Sequence, residues 1–142
     1  MGFRRRAREL ALQSLYLCDT CHLSKEAAVK ATLGEAHEEQ EISFYNHLVQ
    51  GVIEKKEEID TLLRRYTQNW DISRMAVVDR NILRIATYEI LSDIETPISV
   101  ILDEAIEIAK TYSTEDSSKF VNGILDKIKQ VRFPANGSEK RD

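Results

Sequence analysis

The chain has no apolar run long enough to cross a membrane, no glycine-rich loop of the kind that cradles phosphate, no nucleophile motif, and only two cysteines. The first absence excludes a helical membrane span, and the next two leave catalysis without a candidate residue. No Glu-x-x-His occurs, so a di-iron bundle is unsupported. Neither an internal repeat nor a bracketed run of alternating residues appears, which argues against hairpins. The opening Met-Gly-Phe-Arg-Arg-Arg lacks the apolar stretch and cleavage site of a secretory leader, because Arg8 and Glu9 interrupt it; the expected compartment is the cytoplasm.

Cys18-Asp19-Thr20-Cys21-His22 matches C-x-x-C-H, the pattern of covalent haem attachment. That attachment belongs to exported proteins. A zinc site needs two further ligands, and His37 and His47 show no ligand spacing. A thioredoxin-like role needs a preceding strand, whereas an arginine-rich helical pattern stands there. The cysteines are read as structural, free Cys behaving as a small hydrophobe, and no metal or cofactor is expected. A haem or metal bundle using Cys18, Cys21 and His22 would reveal itself as colour or metal in the purified protein.

What is present is an ordinary globular composition, 42% hydrophobic and 31% charged over 142 residues, enough for one domain to bury a core. The net charge is -4, and -8 once Arg4, Arg5, Arg6 and Arg8 are set aside. Residues 34–60 carry eight acids against two lysines, a tract that repels polyanions and is read as a solvated face. Any phosphate-binding surface is therefore expected on the amino-terminal side.

Periodicity predicts an all-α fold of six or seven helices in residues 1–133, with a disordered tail over 134–142. Ala7, Leu10, Ala11, Ser14 and Cys18 mark the buried stripe of a first helix from Arg4 to about Asp19. Ser24 and Gly34 bracket a short second helix. A single long helix is expected over 39–67, with Gly51 tolerated inside it. Asn69-Trp70-Asp71 breaks it, with Asp71 or Ser73 as caps. The stretch 75–91, apolar around Arg80, Arg84 and Glu89, is expected at the centre of the bundle. Pro97 opens a helix to about Thr111, and Ser113 or Thr114 caps a last one carrying Val121, Ile124, Leu125 and Ile128. The Asn136-Gly137-Ser138 sequon has no meaning in a cytosolic tail.

The four arginines sit where a helix dipole disfavours cations, so helix stability does not account for them. At about 100° per residue, Arg5, Arg8, Leu12 and Tyr16 share one sector opposite the Ala7, Ser14, Cys18 stripe, with Gln13 at its edge. Cations that hold phosphates beside a ring that stacks on an unpaired base suit single-stranded RNA. Solubilising arginines with Tyr16 packed on a neighbouring helix is the other reading, and the spacing leaves both open. Asp103, Glu104 and Glu107 are read as acids stabilised by a helix amino terminus rather than as acid/base or metal groups. On the last helix Asp116, Phe120, Gly123 and Lys127 share a flank; Gly123 there suggests close approach by a backbone or ligand.

Three stretches, RRRARELALQSLY at 4–16, VDRNILRIATYEI at 78–90 and PISVILDEAIEIAKTYSTEDSSKFVNGILDKI at 97–128, together resemble the bacterial NusB family of transcription antitermination proteins. The resemblance implies two small helical subdomains, no enzymatic activity, and binding of boxA RNA in nascent ribosomal transcripts. It implies NusE, a small-subunit ribosomal protein, as partner, within the RNA polymerase antitermination complex. RNA contact is thereby implied for Arg4, Arg5, Arg6, Arg8, Gln13, Tyr16, Asp116, Lys119 and Phe120, and partner contact for Asp79. Cys18, Cys21, His22 and residues 23–40 fall outside the pattern, and the resemblance leaves open whether the chain is a monomer or a homodimer. The front domain of an RNA cytosine methyltransferase is the alternative; it would need a further nucleotide-binding domain, which these 142 residues lack. Because each neutralised phosphate removes about 0.7 from the salt slope of single-strand binding, four arginine contacts predict a log–log slope near -3, measurable by filter binding across a salt series.

Overall fold

The periodic apolar stripes close into seven helices in a computed structural model that describes residues 2–34, 37–67 and 71–132. They are α1 (Phe3–Thr20), α2 (Lys25–Leu33), α3 (Glu39–Glu54), α4 (Lys56–Thr67), α5 (Val77–Ser92), α6 (Ile98–Tyr112) and α7 (Glu115–Ile128), with 3-10 turns at Ile72–Arg74 and Lys129–Val131. No strand occurs among the described residues. Caps account for several boundaries. The Ser24 hydroxyl accepts from the Ala27 amide, Gly34 ends α2 at φ +45°, and Thr114 accepts from Ser117. Asp71 caps the 3-10 turn rather than α5, accepting from the Ser73 amide at 3.0 Å. His22 of the C-x-x-C-H run is the non-glycine residue with positive φ, at +58°, and lies just past the end of α1.

The helix expected over 39–67 is two helices. Between buried Val52 and buried Ile59 no apolar side chain faces the core, Ile53 being exposed, so nothing holds the chain straight through Glu54-Lys55-Lys56. Lys55 ends α3 with its amide on the Gly51 carbonyl and leaves the helical conformation at φ -104°, ψ 16°, and α4 begins at Lys56. Gly51 is required there, not merely tolerated: a Cβ would lie 2.0 Å from Cζ of Tyr88 on α5. The Asn69-Trp70 part of the expected break, the tail from 134 and the sequon lie outside the described residues.

Helices α1 to α3 form one group and α4 to α7 a second. α5 packs against members of both, and one cluster of buried side chains runs from Ala7 to Ile128. As its composition foretold, α5 is central, burying ten side chains, four of them Asp79, Asn81, Arg84 and Glu89. Each of these polar groups reaches across to another helix or back to its own. Arg84 donates to both carboxylate oxygens of Asp60 on α4, at 2.9 and 3.1 Å, and to Asp19 on α1 at 3.1 Å. Arg80 forms a two-pronged bond to the same Asp19, both at 2.7 Å, and the Asn81 amide adds a third donor. Ser14 and Tyr45 share a buried hydroxyl bond of 2.6 Å between α1 and α3. Past the end of α7, the Arg132 guanidinium caps α5 and the loop after it by donating to the carbonyls of Glu89, Ile90, Asp93 and Thr96.

Hydrogen bonds from Arg80 hold the Asp19 carboxyl down at about 2. A carboxyl whose folded value lies below its unfolded one, near 3.8, stabilises the fold fully above about pH 4 and loses that contribution as pH falls toward 2. Asp19→Asn is therefore expected to lower the melting temperature at pH 7 and to flatten its decline between pH 4 and pH 2, as calorimetry across that range would record.

Candidate nucleic-acid interface

Each arginine of the opening run meets a different environment because α1 turns them around its axis. Arg4 is exposed and has, among the described residues, no carboxylate within ion-pair distance; its guanidinium lies 5.8 Å from the Phe3 ring centre and 5.5 Å from that of Phe44. Arg5, half-buried, forms a two-pronged pair with Glu104 on α6, Nη2 to Oε2 being 2.8 Å. Those bonds hold the Glu104 carboxyl below the usual carboxylate range. Arg6 meets Glu41 of α3 at 3.0 Å, and the same carboxylate also faces His37 at 2.9 Å.

Arg8 overturns an expectation. It is 4% exposed, bonded to Glu89 of α5 at 2.7 and 2.8 Å, and sits 5.4 Å from the Phe44 ring centre. Leu12, from the same sector, is also buried. The basic strip expected through Arg5, Arg8, Leu12 and Tyr16 is thus interrupted, because α5 packs on that side of α1. Glu104 is likewise not a first-turn acid: α6 begins at Ile98, and the residue's role is to pair with Arg5.

Further along α1, Gln13 is exposed and Tyr16 is 38% exposed, at the edge of a groove of about 350 Å³. Its walls come from α1, α2, Val78 of α5 and Tyr112 of α6. Next to Val78, Asp79 is buried with Oδ2 accepting from the Ser117 hydroxyl of α7 at 3.0 Å, while Oδ1 has no hydrogen-bond partner. Thr32, in the groove wall, has a buried hydroxyl with no hydrogen-bond partner among the described residues, as Asp79 Oδ1 has. The structure thus sets Gln13 and Tyr16 in one groove with Val78, the residue before Asp79 on α5. Asp116 and Lys119 are exposed on α7, and Phe120 is half-buried against the core. α6 links this helix to the arginines, packing on α7 and presenting Glu104 to Arg5. A Cβ on Gly123 would meet no other atom within 4 Å among the described residues.

None of the three carboxylates that answer the arginines, Glu41, Glu89 and Glu104, was expected in that role. Glu89 had a signal, an acid inside an otherwise apolar helix; Glu104 was weighed only with Asp103 and Glu107 of its own helix, and Glu41 lies among other acids. Cys18 is half-buried, Cys21 is exposed, and burial raises the Cys18 thiol. Among the described residues no group of three His, Cys, Asp or Glu side chains is placed to hold a metal ion, and no helix is long and apolar enough to cross a membrane.

The described residues form an all-helical bundle with a partly exposed arginine-rich first helix beside an aromatic groove. The NusB family model matches residues 5–130, and the chain belongs to that family. It is 44% identical to the transcription antitermination protein NusB of Elusimicrobium minutum, over 93% of this chain and 96% of that one. To NusB of Bacillus cereus strain B4264 it is 46% identical, over 90% and 98%. The structure of T. maritima NusB superposes with TM-score 0.86 at 41% identity, covering 92% of this chain and 93% of that one. A crystal structure of the antitermination factors NusB and NusE in complex with dsRNA aligns at TM-score 0.85 and 26% identity, over 92% and 98%.

With Arg8 locked inside, three arginines of the run stay at least partly exposed; if each of the three neutralised one phosphate, the salt slope expected from the structure would drop from near -3 to about -2. Arg8→Ala strands Glu89 and is expected to cost about 3 kcal/mol, roughly 10 °C in melting temperature. Arg4→Ala and Arg5→Ala are expected to leave melting nearly unchanged. Thermal unfolding of the three variants checks the division.

Proposed function

We propose that this antitermination factor captures single-stranded boxA RNA of nascent ribosomal transcripts together with NusE, and in that form joins the RNA polymerase antitermination complex in the cytoplasm. Arg4, Arg5 and Arg6 hold phosphates, Gln13 and Tyr16 meet bases, and Asp116, Lys119 and Phe120 extend the surface along α7. Arg8 acts as a positioning residue, fixing α1 on α5 through Glu89. NusE docks beside Asp79 over the groove that Tyr16 borders, so that both partners touch the RNA and the bound strand is shared between them.

The observation that carries this reading is the placement of exposed Arg4 and half-exposed Arg5 and Arg6 on the helix that also presents Gln13 and Tyr16. The solved complex of a 26%-identical relative with NusE and dsRNA supports the pairing of a NusB protein with NusE and an RNA. Non-catalytic action fits the lack of any nucleophile motif. The relatives named as antitermination proteins are matched over 96% and 98% of their own lengths, which favours this reading over the front domain of a methyltransferase.

Fluorescence anisotropy of a boxA-like single strand against a scrambled one, with and without NusE, tests the proposal on wild type and Arg4→Ala/Arg5→Ala. Sequence-selective binding that NusE strengthens, and that falls about tenfold or more in the double variant, is expected. Binding that is absent, or indifferent to both sequence and substitution, refutes it.

A further inference from the structure

On the flank of α1 away from the Tyr16 groove's residues, an open cleft of about 540 Å³ lies between the start of α1 and α3. Phe3 and Arg4 line it from one side, Gln40, Ser43, Phe44 and His47 from the other. None of the α3 residues stood out in the sequence, where this stretch reads as part of an acidic tract. Two of the tract's acids, Glu41 and Asp60, are buried in ion pairs with Arg6 and Arg84; its other described acids are exposed, and beside Glu39 aromatic and neutral polar groups face the cleft.

The aromatic wall is braced from behind. The Phe44 and His47 rings stack at 6.2 Å with 24° between their planes, and His47 meets Tyr88 of α5 at 5.2 Å. Tyr88 can occupy that place because Gly51 has no Cβ. Behind Phe44 stands Arg8, itself clamped by Glu89. Half-exposed rings held in fixed orientation, with a cation that has no carboxylate partner among the described residues, form a stacking platform with a phosphate handle. The Gln40 amide and Ser43 hydroxyl supply both donors and acceptors for a base edge. Glu39, the acid in the wall, lies in the first turn of α3, where the helix dipole favours it, and offers an acceptor for an exocyclic amine.

We propose that this cleft binds one unpaired nucleobase of the RNA strand, stacked against Phe3, Phe44 or His47 with its phosphate on Arg4. The proposal rests on the RNA-binding reading and adds to it a second contact point, reached by the strand around the amino-terminal end of α1. The lining selects the occupant: rings to stack on, one cation for a phosphate, and the Gln40, Ser43 and Glu39 groups for a base edge suit a nucleotide, and Arg4 joins the cleft directly to the arginine run.

A boxA-like single-stranded 12-mer is assayed by anisotropy with NusE present, intact and with an abasic site walked through each position, against wild type, Phe3→Ala, His47→Ala and Arg5→Ala. Phe3 and His47 are chosen because neither is wholly buried, and Phe44 is left in place because it supports Arg8. The expected result is that Phe3→Ala and His47→Ala each weaken the intact strand about tenfold, yet leave unchanged the affinity of the strand that is abasic at one particular position. A 5-bromouridine at that position then crosslinks to Phe3, Phe44 or His47, as mass spectrometry of the digest would locate.

If wild type binds and Arg5→Ala weakens it, while Phe3→Ala and His47→Ala change nothing and no abasic position couples to them, the cleft proposal is overturned and the RNA-binding reading stands. If those two variants weaken only the association with NusE, the cleft takes a protein segment, and the proposal is again overturned. If wild type fails to bind the strand, the RNA-binding reading falls and the cleft proposal with it.

Discussion

Buried charge on α5 is the constraint on which the rest of the molecule depends. Buried Arg84 and Glu89 each hold a carboxylate or guanidinium that belongs to another helix, and removing one partner of such a pair leaves the other uncompensated in a dry interior; half-buried Arg80 adds a two-pronged bond to Asp19. Apolar packing alone is non-directional and would tolerate many rotations of α1 and α4 about their axes. Two-pronged bonds to Asp19 and Arg8 tolerate one. The register of α1 is therefore set at both ends, by Arg80 and Arg84 at Asp19 and by Glu89 at Arg8.

That register determines which arginines are available to a ligand. Rotating α1 to put Arg8 on Glu89 necessarily sends Arg5 to Glu104, Arg6 to Glu41 and Arg4 outward, because successive residues lie about 100° apart. The run is thus divided between architecture and recognition. Arg5 stands between, in a partly exposed pair with Glu104 whose net worth in water is small, so a phosphate can replace that carboxylate at modest cost, whereas Arg6 reaches a Glu41 carboxylate that is itself buried. The intramolecular carboxylates also keep a cluster of cations from binding every polyanion it meets, which reinforces the effect of a remainder that is negative overall.

The aromatic groups follow the same geometry. Tyr16 emerges two turns beyond Arg8, beside the groove bordered by Val78, while Phe44 is held in place by Arg8 from below. Asp79 ties the first turn of α5 to α7 through Ser117, so the surfaces carried by α1 and α7 are fixed relative to one another by the same central helix. Binding surfaces on rigid elements of this kind need little reordering when a ligand arrives.

Helix identity, most helix ends and the central position of α5 were legible in the residues, because 3.6-residue periodicity and capping residues are local signals. Ser24, Gly34 and Thr114 needed no tertiary information. The break at Lys55 was not legible: Gly51 looked like a tolerated defect until Tyr88 was seen to need the space, and that contact joins residues 37 apart. The site divided in the same way. Gln13 and Tyr16 emerge on the outside of α1, as its periodicity indicated, and the family resemblance named the helix; Arg4 is exposed although the same periodicity places it beside Ala7 and Ala11. What periodicity could not supply was the partner of each arginine. One helix has more than two sides once three neighbours pack on it, and only the tertiary structure decided that Arg8 would be answered from within, Arg5 and Arg6 at the rim, and Arg4 left to the solvent.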